Sequence, residues 1–369
     1  MQNERHHALD NLRIFVIFLV VLLHASLSYM TYAPEWWYVL DPQRNLFFTC
    51  LVLLIDVPIM LIMFFLSGYF TYASLAKRGP GAFLRDKLVR IGIPWVFGSL
   101  VLAPPTAYMI YYSRKIPMSL WTFWGTDFWG KVYQQSVYWY LGVILLFFAL
   151  TALAFIVNQR FASWQRSVIR PTWRFFSLFV LAMTAGSLWI GLTYPLDQWS
   201  HIYVLLFQPA RVPLYIGYFV LGIFAHQRGW FTEQGYSPTI LRWLSLCLVS
   251  GLLYLGWRLR LPPTMNTVSS KAITTLLFNL FCFSSLMASL ALFRTHLAGE
   301  SAFWRSQARN SYGVYYLHPL ILYPLALVFV PIPVSIFVKA FAITLMAYLV
   351  SWGVSAAALT RLPGLRRMF

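Results

Sequence analysis

Acidic side chains are scarce in this sequence, and so are charged residues in general. Ten of the 369 residues are Asp or Glu, 28 are Lys or Arg, and charged residues make up only 10% of the chain. A soluble domain carries about 25% charged residues. Water is therefore not the solvent for most of the surface of this protein, and the composition indicates a membrane protein.

Several sequence motifs of metal-binding, nucleotide-binding and hydrolytic proteins are also missing. The three cysteines, Cys50, Cys247 and Cys282, lie in apolar stretches and lack the paired spacing of zinc or redox sites. The sequence has no Walker loop, no dinucleotide glycine fingerprint, no histidine pair at metal spacing and no serine in a nucleophile elbow. The basic residues form short clusters without a continuous basic face. We therefore expect neither a metal nor a nucleic acid partner.

Most of the sequence consists of long apolar runs. Hydrophobic residues make up 60% of the chain and aromatic residues 19%, and the mean hydropathy is +0.66. Several runs are long enough to cross about 30 Å of hydrocarbon as helices. These runs lie near residues 12–32, 47–74, 88–112, 137–157, 174–194, 212–228, 239–257, 271–292, 311–330 and 334–358. Because no internal repeat or low-complexity tract interrupts them, we predict an all-α, polytopic integral membrane protein with about ten transmembrane helices and one domain over residues 1–369.

The distribution of Lys and Arg predicts the orientation, because cytoplasmic loops collect these residues. One side holds most of them: Arg5, Arg13, Lys77, Arg78, Arg85, Lys87, Arg90, Arg160, Arg166, Arg170, Arg174, Arg228, Arg242, Arg294, Arg305, Arg309, Arg361, Arg366 and Arg367. The other side holds fewer: Arg44, Arg114, Lys115, Lys131, Arg211, Arg258, Arg260, Lys271 and Lys339. With an even number of helices, both termini are predicted to be cytoplasmic, and residues 113–136 are predicted to form an outer loop at the membrane interface.

Four ionisable side chains are predicted at membrane depth, where they are costly and usually mark a substrate or ion path. They are Arg13, His24, Asp56 and His318. Arg13 and His24 are separated by almost three helical turns, so they share one helix face about 16 Å apart. Asp10 lies one turn before Arg13 and is expected to orient its guanidinium. A snorkelling arginine and a hydrogen-bonded core histidine are the structural alternatives.

Two further clusters of polar residues follow in the next helices. In the second run, Asp56 and Ser67 lie on one stripe, and the adjacent Gly68 is predicted to allow close helix packing. Before the third run, Lys87 and Arg90 lie one turn apart on the predicted cytoplasmic side, where they can bind phosphate groups. Ordinary positive-inside charge produces a similar loop, so both interpretations stay open.

These features together resemble the membrane acyltransferase family called acyltransferase-3. Arg13 and His24, with ten residues between them, resemble the signature in the first helix of that family. Three other segments resemble, in order, the second-helix motif, the basic motif and the late aromatic and histidine motif: Phe64–Tyr69, Lys87–Pro94 and Ser311–Pro319. The four matches span nearly the whole chain. Within the family, Gln208–Gly222 and Tyr138–Leu141 resemble the branch related to periplasmic glucan succinylation proteins.

The resemblance implies an enzyme of the bacterial inner membrane. It implies a fold of ten helices. The enzyme is then expected to transfer an acyl group from cytoplasmic acyl-CoA, which is acetyl-CoA or succinyl-CoA, to a hydroxyl of a carbohydrate or glycan at the outer face. His24 is then the catalytic residue, either as general base on that hydroxyl or as nucleophile in an acyl-histidine intermediate. Asp56 is assigned to the catalytic centre, to orient His24 or to bind the acceptor. We assign six residues to the coenzyme: Arg13, Ser67, Lys87, Arg90, Tyr315 and His318.

The sequence departs from the family pattern in one place, and it keeps one other function open. Where members of the family often carry two adjacent basic residues, this chain has Asp86 and Lys87. A transporter or flippase for a small anionic or lipid-linked substrate is the main alternative, because such proteins also combine many helices with a few interior ionisable groups. The two halves contain no matching pair of broken helices, which favours the enzyme. Membrane lipids surround the protein in either case, and the oligomeric state is open.

Overall fold

The described chain is mostly helical. The computed structural model describes residues 7–261 and 267–369, so Arg5 lies outside the described residues. The α-helices are α1 His7–Leu27, α2 Leu46–Arg78, α3 Pro80–Lys87, α4 Ile93–Phe97, α5 Ala103–Ser113, α6 Leu120–Gly125, α7 Trp139–Val157, α8 Gln159–Ala162, α9 Trp173–Gly191, α10 Val212–Gln227, α11 Ile240–Arg260, α12 Val268–His296, α13 Ala302–Phe329 and α14 Ile336–Val354. A small antiparallel hairpin joins β1 Ser200–Ile202 to β2 Leu205–Phe207. The predicted all-α class is confirmed.

Nine helical segments of the described residues are long and apolar enough to cross a membrane. They are His7–Leu27, Leu46–Arg78, Pro80–Ser113, Ser136–Val157, Trp173–Gly191, Ile240–Arg260, Val268–His296, Ala302–Phe329 and Ile336–Leu359. Nine of the ten predicted runs correspond to these segments. The remaining run forms α10, which has only 16 residues. At 1.5 Å per residue this helix is about 24 Å long, which is less than the thickness of the hydrocarbon core.

The third of these segments is a continuous helical run with two π-helical turns. Leu88–Gly92 joins α3 to α4, and Gly98–Leu102 joins α4 to α5. In the first turn the Ile93 amide donates to the Leu88 carbonyl, five residues earlier. Pro94 follows at once, and because proline has no amide hydrogen it cannot continue the α-helical ladder. Single π-helical turns of this kind are frequent at functional sites.

The helices belong to two compact units. The first unit contains residues 1–13, 57–86 and 146–300, and the second contains residues 14–56, 87–145 and 301–369. In the first unit α2 and α10 approach closely at two glycines. A Cβ on Gly68 would lie 1.9 Å from the Phe219 carbonyl oxygen, and one on Gly222 would lie 2.1 Å from the Phe65 carbonyl oxygen. The predicted packing function of Gly68 is confirmed.

The second unit contains a buried ion pair that the charge pattern does not predict. The Lys339 ammonium, near the start of α14, lies 2.9 Å from Asp41 Oδ2 and 3.0 Å from the Val330 carbonyl oxygen. Both charged side chains are only 3% exposed. The Gln43 amide donates to the second oxygen of the Asp41 carboxylate over 2.9 Å. Lys339 is thus an internal residue of this unit, not a loop charge.

Candidate active site

Two of the predicted membrane-depth residues, His24 and His318, form a hydrogen-bonded pair in the second unit. His24 is in the last turn of α1 and His318 is near the middle of α13. The His24 Nδ1 atom lies 2.9 Å from His318 Nε2, and the ring centroids are 5.1 Å apart with an interplanar angle of 21°. His318 is completely buried, whereas His24 is partly exposed. Of this pair, therefore, only His24 has exposed surface.

The position of the His318 ring follows from the local sequence of α13. Its Nδ1 atom lies 3.1 Å from the Val314 carbonyl oxygen, one helical turn earlier. The next residue, Pro319, lies inside the helix and has no amide hydrogen, so it removes the donor that would reach the Tyr315 carbonyl. The helix continues through this position, and the ladder is weakened beside the histidine.

An aromatic segment between α1 and α2 contacts His24. We call residues 28–45 the cap segment. Its Trp37 ring lies 5.5 Å from the His24 ring, and the Trp37 indole nitrogen donates to the Ser28 hydroxyl over 3.4 Å. Tyr38 stacks on Tyr323 of α13 with ring centroids 4.0 Å apart. Burial raises the pKa of Tyr38, so its phenol stays neutral over the physiological range.

The cap segment is held by polar contacts within the second unit. The Arg114 guanidinium donates to the Trp37 carbonyl over 2.9 Å and also to the Glu35 carbonyl. The Ser113 hydroxyl donates to the Tyr38 carbonyl over 3.0 Å. The Asp41 amide donates to the Ser28 carbonyl over 3.0 Å. Sequence reasoning missed these contacts, because Arg114 resembles any other loop charge.

The predicted phosphate-binding residues lie at the first π-helical turn. Lys87, the last residue of α3, is partly exposed, and Arg90, inside the turn, is exposed. Pro94 cannot supply the amide hydrogen that an α-helix would direct at the Arg90 carbonyl. The Tyr312 hydroxyl of α13 donates to that carbonyl over 2.9 Å instead. The basic turn is therefore held by α13.

The late aromatic motif ties α13 to backbone carbonyls. The Tyr316 hydroxyl donates to the Pro94 carbonyl over 2.9 Å, and the Tyr315 hydroxyl donates to the Val137 carbonyl. Tyr315 is only 5% exposed. Tyr315, which the sequence assigns to the coenzyme, thus donates its hydroxyl hydrogen to the protein backbone. The sequence shows the aromatic pattern but not these partners.

The other predicted site residues are distributed over both units. Asp56 lies on α2 in the second unit and is partly exposed. The hydrogen bond to His24 Nδ1, one of the two functions considered for Asp56, is made by His318. Arg13 and Ser67 belong to the first unit. The Arg13 guanidinium lies 3.2 Å from Asp10 Oδ1, which confirms the predicted contact.

Residues 7–261 and 267–369 contain no group of three or more His, Cys, Asp or Glu side chains that could hold a metal. Lys87, which is partly exposed, and Arg90, which is exposed, are suited to a phosphate-bearing ligand. The His24 imidazole is partly exposed, and a neutral imidazole has one nitrogen that can accept a proton.

Comparisons with known proteins identify the family of the chain. Residues 6–356 match the profile of the acyltransferase-3 family, described as an acyltransferase domain. The chain is similar to glucans biosynthesis protein C of Shigella boydii serotype 4 (strain Sb227), with 24% identity over 257 residues, covering 64% of this chain and 63% of the relative. The proteins of the same name from Escherichia coli O139:H28 and Escherichia coli K12 (DH10B) show the same 24% identity and the same coverage. The match thus spans less than two thirds of the length of these relatives. No solved structure matches the chain.

Proposed function

Because the chain belongs to the acyltransferase-3 family, we propose that it is a membrane-embedded O-acyltransferase that takes its acyl group from acyl-CoA. The donor, acetyl-CoA or succinyl-CoA, binds on the cytoplasmic side. The acceptor is a carbohydrate or glycan hydroxyl at the outer face of the bacterial inner membrane. The name of the relatives, glucans biosynthesis protein C, supports a glucan as that acceptor. If α10 crosses as a tenth span, both termini lie in the cytoplasm.

The observation that carries this proposal is the partly exposed His24 paired with the buried His318. His24 is the general base. It removes the proton from the acceptor hydroxyl while the oxygen attacks the thioester carbonyl, and the carbon–sulfur bond breaks to release the coenzyme thiolate. The thiolate then takes up a proton from the histidine. A positioned base of this kind contributes about 10²–10⁴-fold in rate.

The coenzyme side of the proposal rests on the basic turn. The phosphates of acyl-CoA bind Lys87, which is partly exposed, and Arg90, which is exposed. Tyr312 holds this turn to α13, and His318 follows it six residues later in the same helix. Six residues correspond to about 9 Å along the helix axis. The flexible thioester arm of the coenzyme covers this distance.

The proposal is tested with purified protein in detergent or nanodiscs and labelled acyl-CoA. We expect His24→Ala to lower turnover by at least about 100-fold, with unchanged binding of acyl-CoA in equilibrium dialysis. The matched control is His201→Ala, since His201 is exposed on β1. Wild-type turnover in His24→Ala would refute the assignment of the base.

The acceptor and the type of catalysis are tested with the same material. Acetyl-CoA and succinyl-CoA are compared with a glucan as acceptor, and the labelled product is identified by mass spectrometry. A general base leaves no covalent intermediate, so we expect no label on the protein after rapid quenching without acceptor. A labelled peptide containing His24 would instead support an acyl-histidine intermediate.

A further inference from the structure

The hydrogen-bond chain around His318 determines which nitrogen atoms carry hydrogen. The Val314 carbonyl oxygen, 3.1 Å from His318 Nδ1, can only accept, so His318 Nδ1 carries a hydrogen. A neutral imidazole has one donor nitrogen and one acceptor nitrogen. Because His318 is completely buried, the neutral form is favoured over the charged one. Its Nε2 atom therefore presents a lone pair to His24.

The hydrogen bond to His318 fixes the tautomer of His24 in turn. Its Nδ1 atom lies 2.9 Å from the lone pair of His318 Nε2, so Nδ1 of His24 must be the donor. The lone pair of His24 is then on Nε2, the nitrogen that His318 does not occupy. We propose that His318 is a positioning residue that holds His24 in the tautomer whose Nε2 is free to take the acceptor proton. This inference rests on the proposed function of His24 as general base.

The positioning partner also acts after proton transfer. When His24 Nε2 takes the acceptor proton, the ring becomes an imidazolium, and its Nδ1–H bond to the neutral His318 becomes charge-assisted and stronger. The Trp37 ring, whose centroid lies 5.5 Å from that of His24, limits the tilt of the His24 ring. The arrangement differs from the histidine–carboxylate pair of serine hydrolases, because the partner of His24 is an uncharged ring held by a backbone carbonyl. The sequence assigns His318 to the coenzyme, whereas the geometry points to the base.

Two amide variants separate this function from simple packing. In His318→Gln the amide oxygen reaches the place of Nε2 and can still accept from His24 Nδ1. In His318→Asn the amide reaches only the place of Nδ1, so it can bond Val314 but leaves His24 without its acceptor. We expect the Gln variant to retain kcat within about fivefold, and the Asn and Leu variants to lose about 100-fold. KM for acyl-CoA should not change in any of them.

The tautomer is measured directly by nitrogen NMR of histidine-labelled protein. The chain contains seven histidines, and the His24 signals are assigned by their loss in His24→Gln. We expect wild type and His318→Gln to show a protonated Nδ1 and a bare Nε2 on His24, and His318→Leu to shift the proton toward Nε2. The spectrum of the wild type gives the answer even if a variant does not fold.

The outcomes distinguish this inference from the proposed function. Equal kcat for the Gln and Asn variants, or a protonated Nε2 on His24 of the wild type, overturns the positioning assignment. If His24→Ala is inactive while His318→Leu matches wild type, the assignment of His24 as base is supported and the assignment of His318 as positioning residue is wrong. If His24→Ala remains active, the proposed base is wrong, while NMR still decides the tautomer.

Discussion

The buried pair of Asp41 and Lys339 permits a quantitative prediction for stability. We consider Lys339→Met, which replaces the ammonium by an apolar side chain of similar length. The variant leaves the Asp41 carboxylate in place, 3% exposed and with the Gln43 amide as its remaining hydrogen-bond donor. An uncompensated buried charge is among the most destabilising single changes.

The expected magnitude follows from the geometry. At a separation of 2.9 Å and an effective dielectric constant of about 20, two unit charges attract each other by about 6 kcal/mol. The desolvation of the two ions costs several kcal/mol each, so the intact pair contributes little net stability. Loss of one partner leaves the other with its desolvation cost, and we expect Lys339→Met to lower the free energy of unfolding by about 3–5 kcal/mol.

The assay is reversible unfolding in mixed micelles, followed by circular dichroism. The double variant Asp41→Asn with Lys339→Met removes both charges, so we expect it to recover most of the loss. The matched control is Lys131→Met. Lys131 is 79% exposed and lies 3.9 Å from Asp127, and surface pairs of this kind contribute about 0–1 kcal/mol. Equal losses of stability in Lys339→Met and Lys131→Met, or a double variant less stable than Lys339→Met, would contradict a buried ion pair whose lone charge is destabilising.

Three other predictions concern the packing, the coenzyme and the topology. Gly68→Ala should lower the free energy of unfolding by about 1–3 kcal/mol, because the new Cβ would clash with the Phe219 backbone. The control Gly256→Ala places its Cβ where no atom lies within 4 Å, so it should be neutral or stabilising in the same unfolding assay. Arg90→Ala should raise the dissociation constant of acyl-CoA about fivefold, with a smaller effect at high salt, and Arg309→Ala, which removes an equal charge from another exposed position, should not. Reporter fusions at both termini should place both in the cytoplasm if α10 crosses as a tenth span. Reporters on opposite sides would contradict this.

The membrane-spanning class of the fold can be predicted from the sequence because the bilayer itself imposes it. A spanning helix needs about 20 apolar residues, and that requirement is local, so a run such as 47–74 identifies α2, Leu46–Arg78. The helix extends four residues beyond the predicted run at its C-terminal end, because Lys77 and Arg78 continue the helix past the apolar part. Apolar runs show how far hydrocarbon extends, and helices need not stop there.

Contacts within one helix or at one small residue can also be predicted from the sequence. Asp10 and Arg13 are one turn apart in α1, and the structure has their ion pair at 3.2 Å. Gly68 beside Ser67 indicated close packing, and the structure has α10 against it. In the first case helical periodicity sets the distance between the two side chains, and in the second the absence of a side chain allows the close approach of another helix.

The partners of His24 and Lys339 were decided by the tertiary structure alone. His318 is 294 residues from His24, and Asp41 is 298 residues from Lys339. Periodicity relates residues within one helix, but it does not say which face of another helix lies opposite, because that depends on the packing of all the intervening segments. The sequence by itself therefore determined a membrane protein with a histidine at depth. Only the folded chain brings His318 Nε2 to His24 Nδ1. A hydrogen bond needs its two atoms about 3 Å apart, and residues so distant in sequence meet that condition only through tertiary packing.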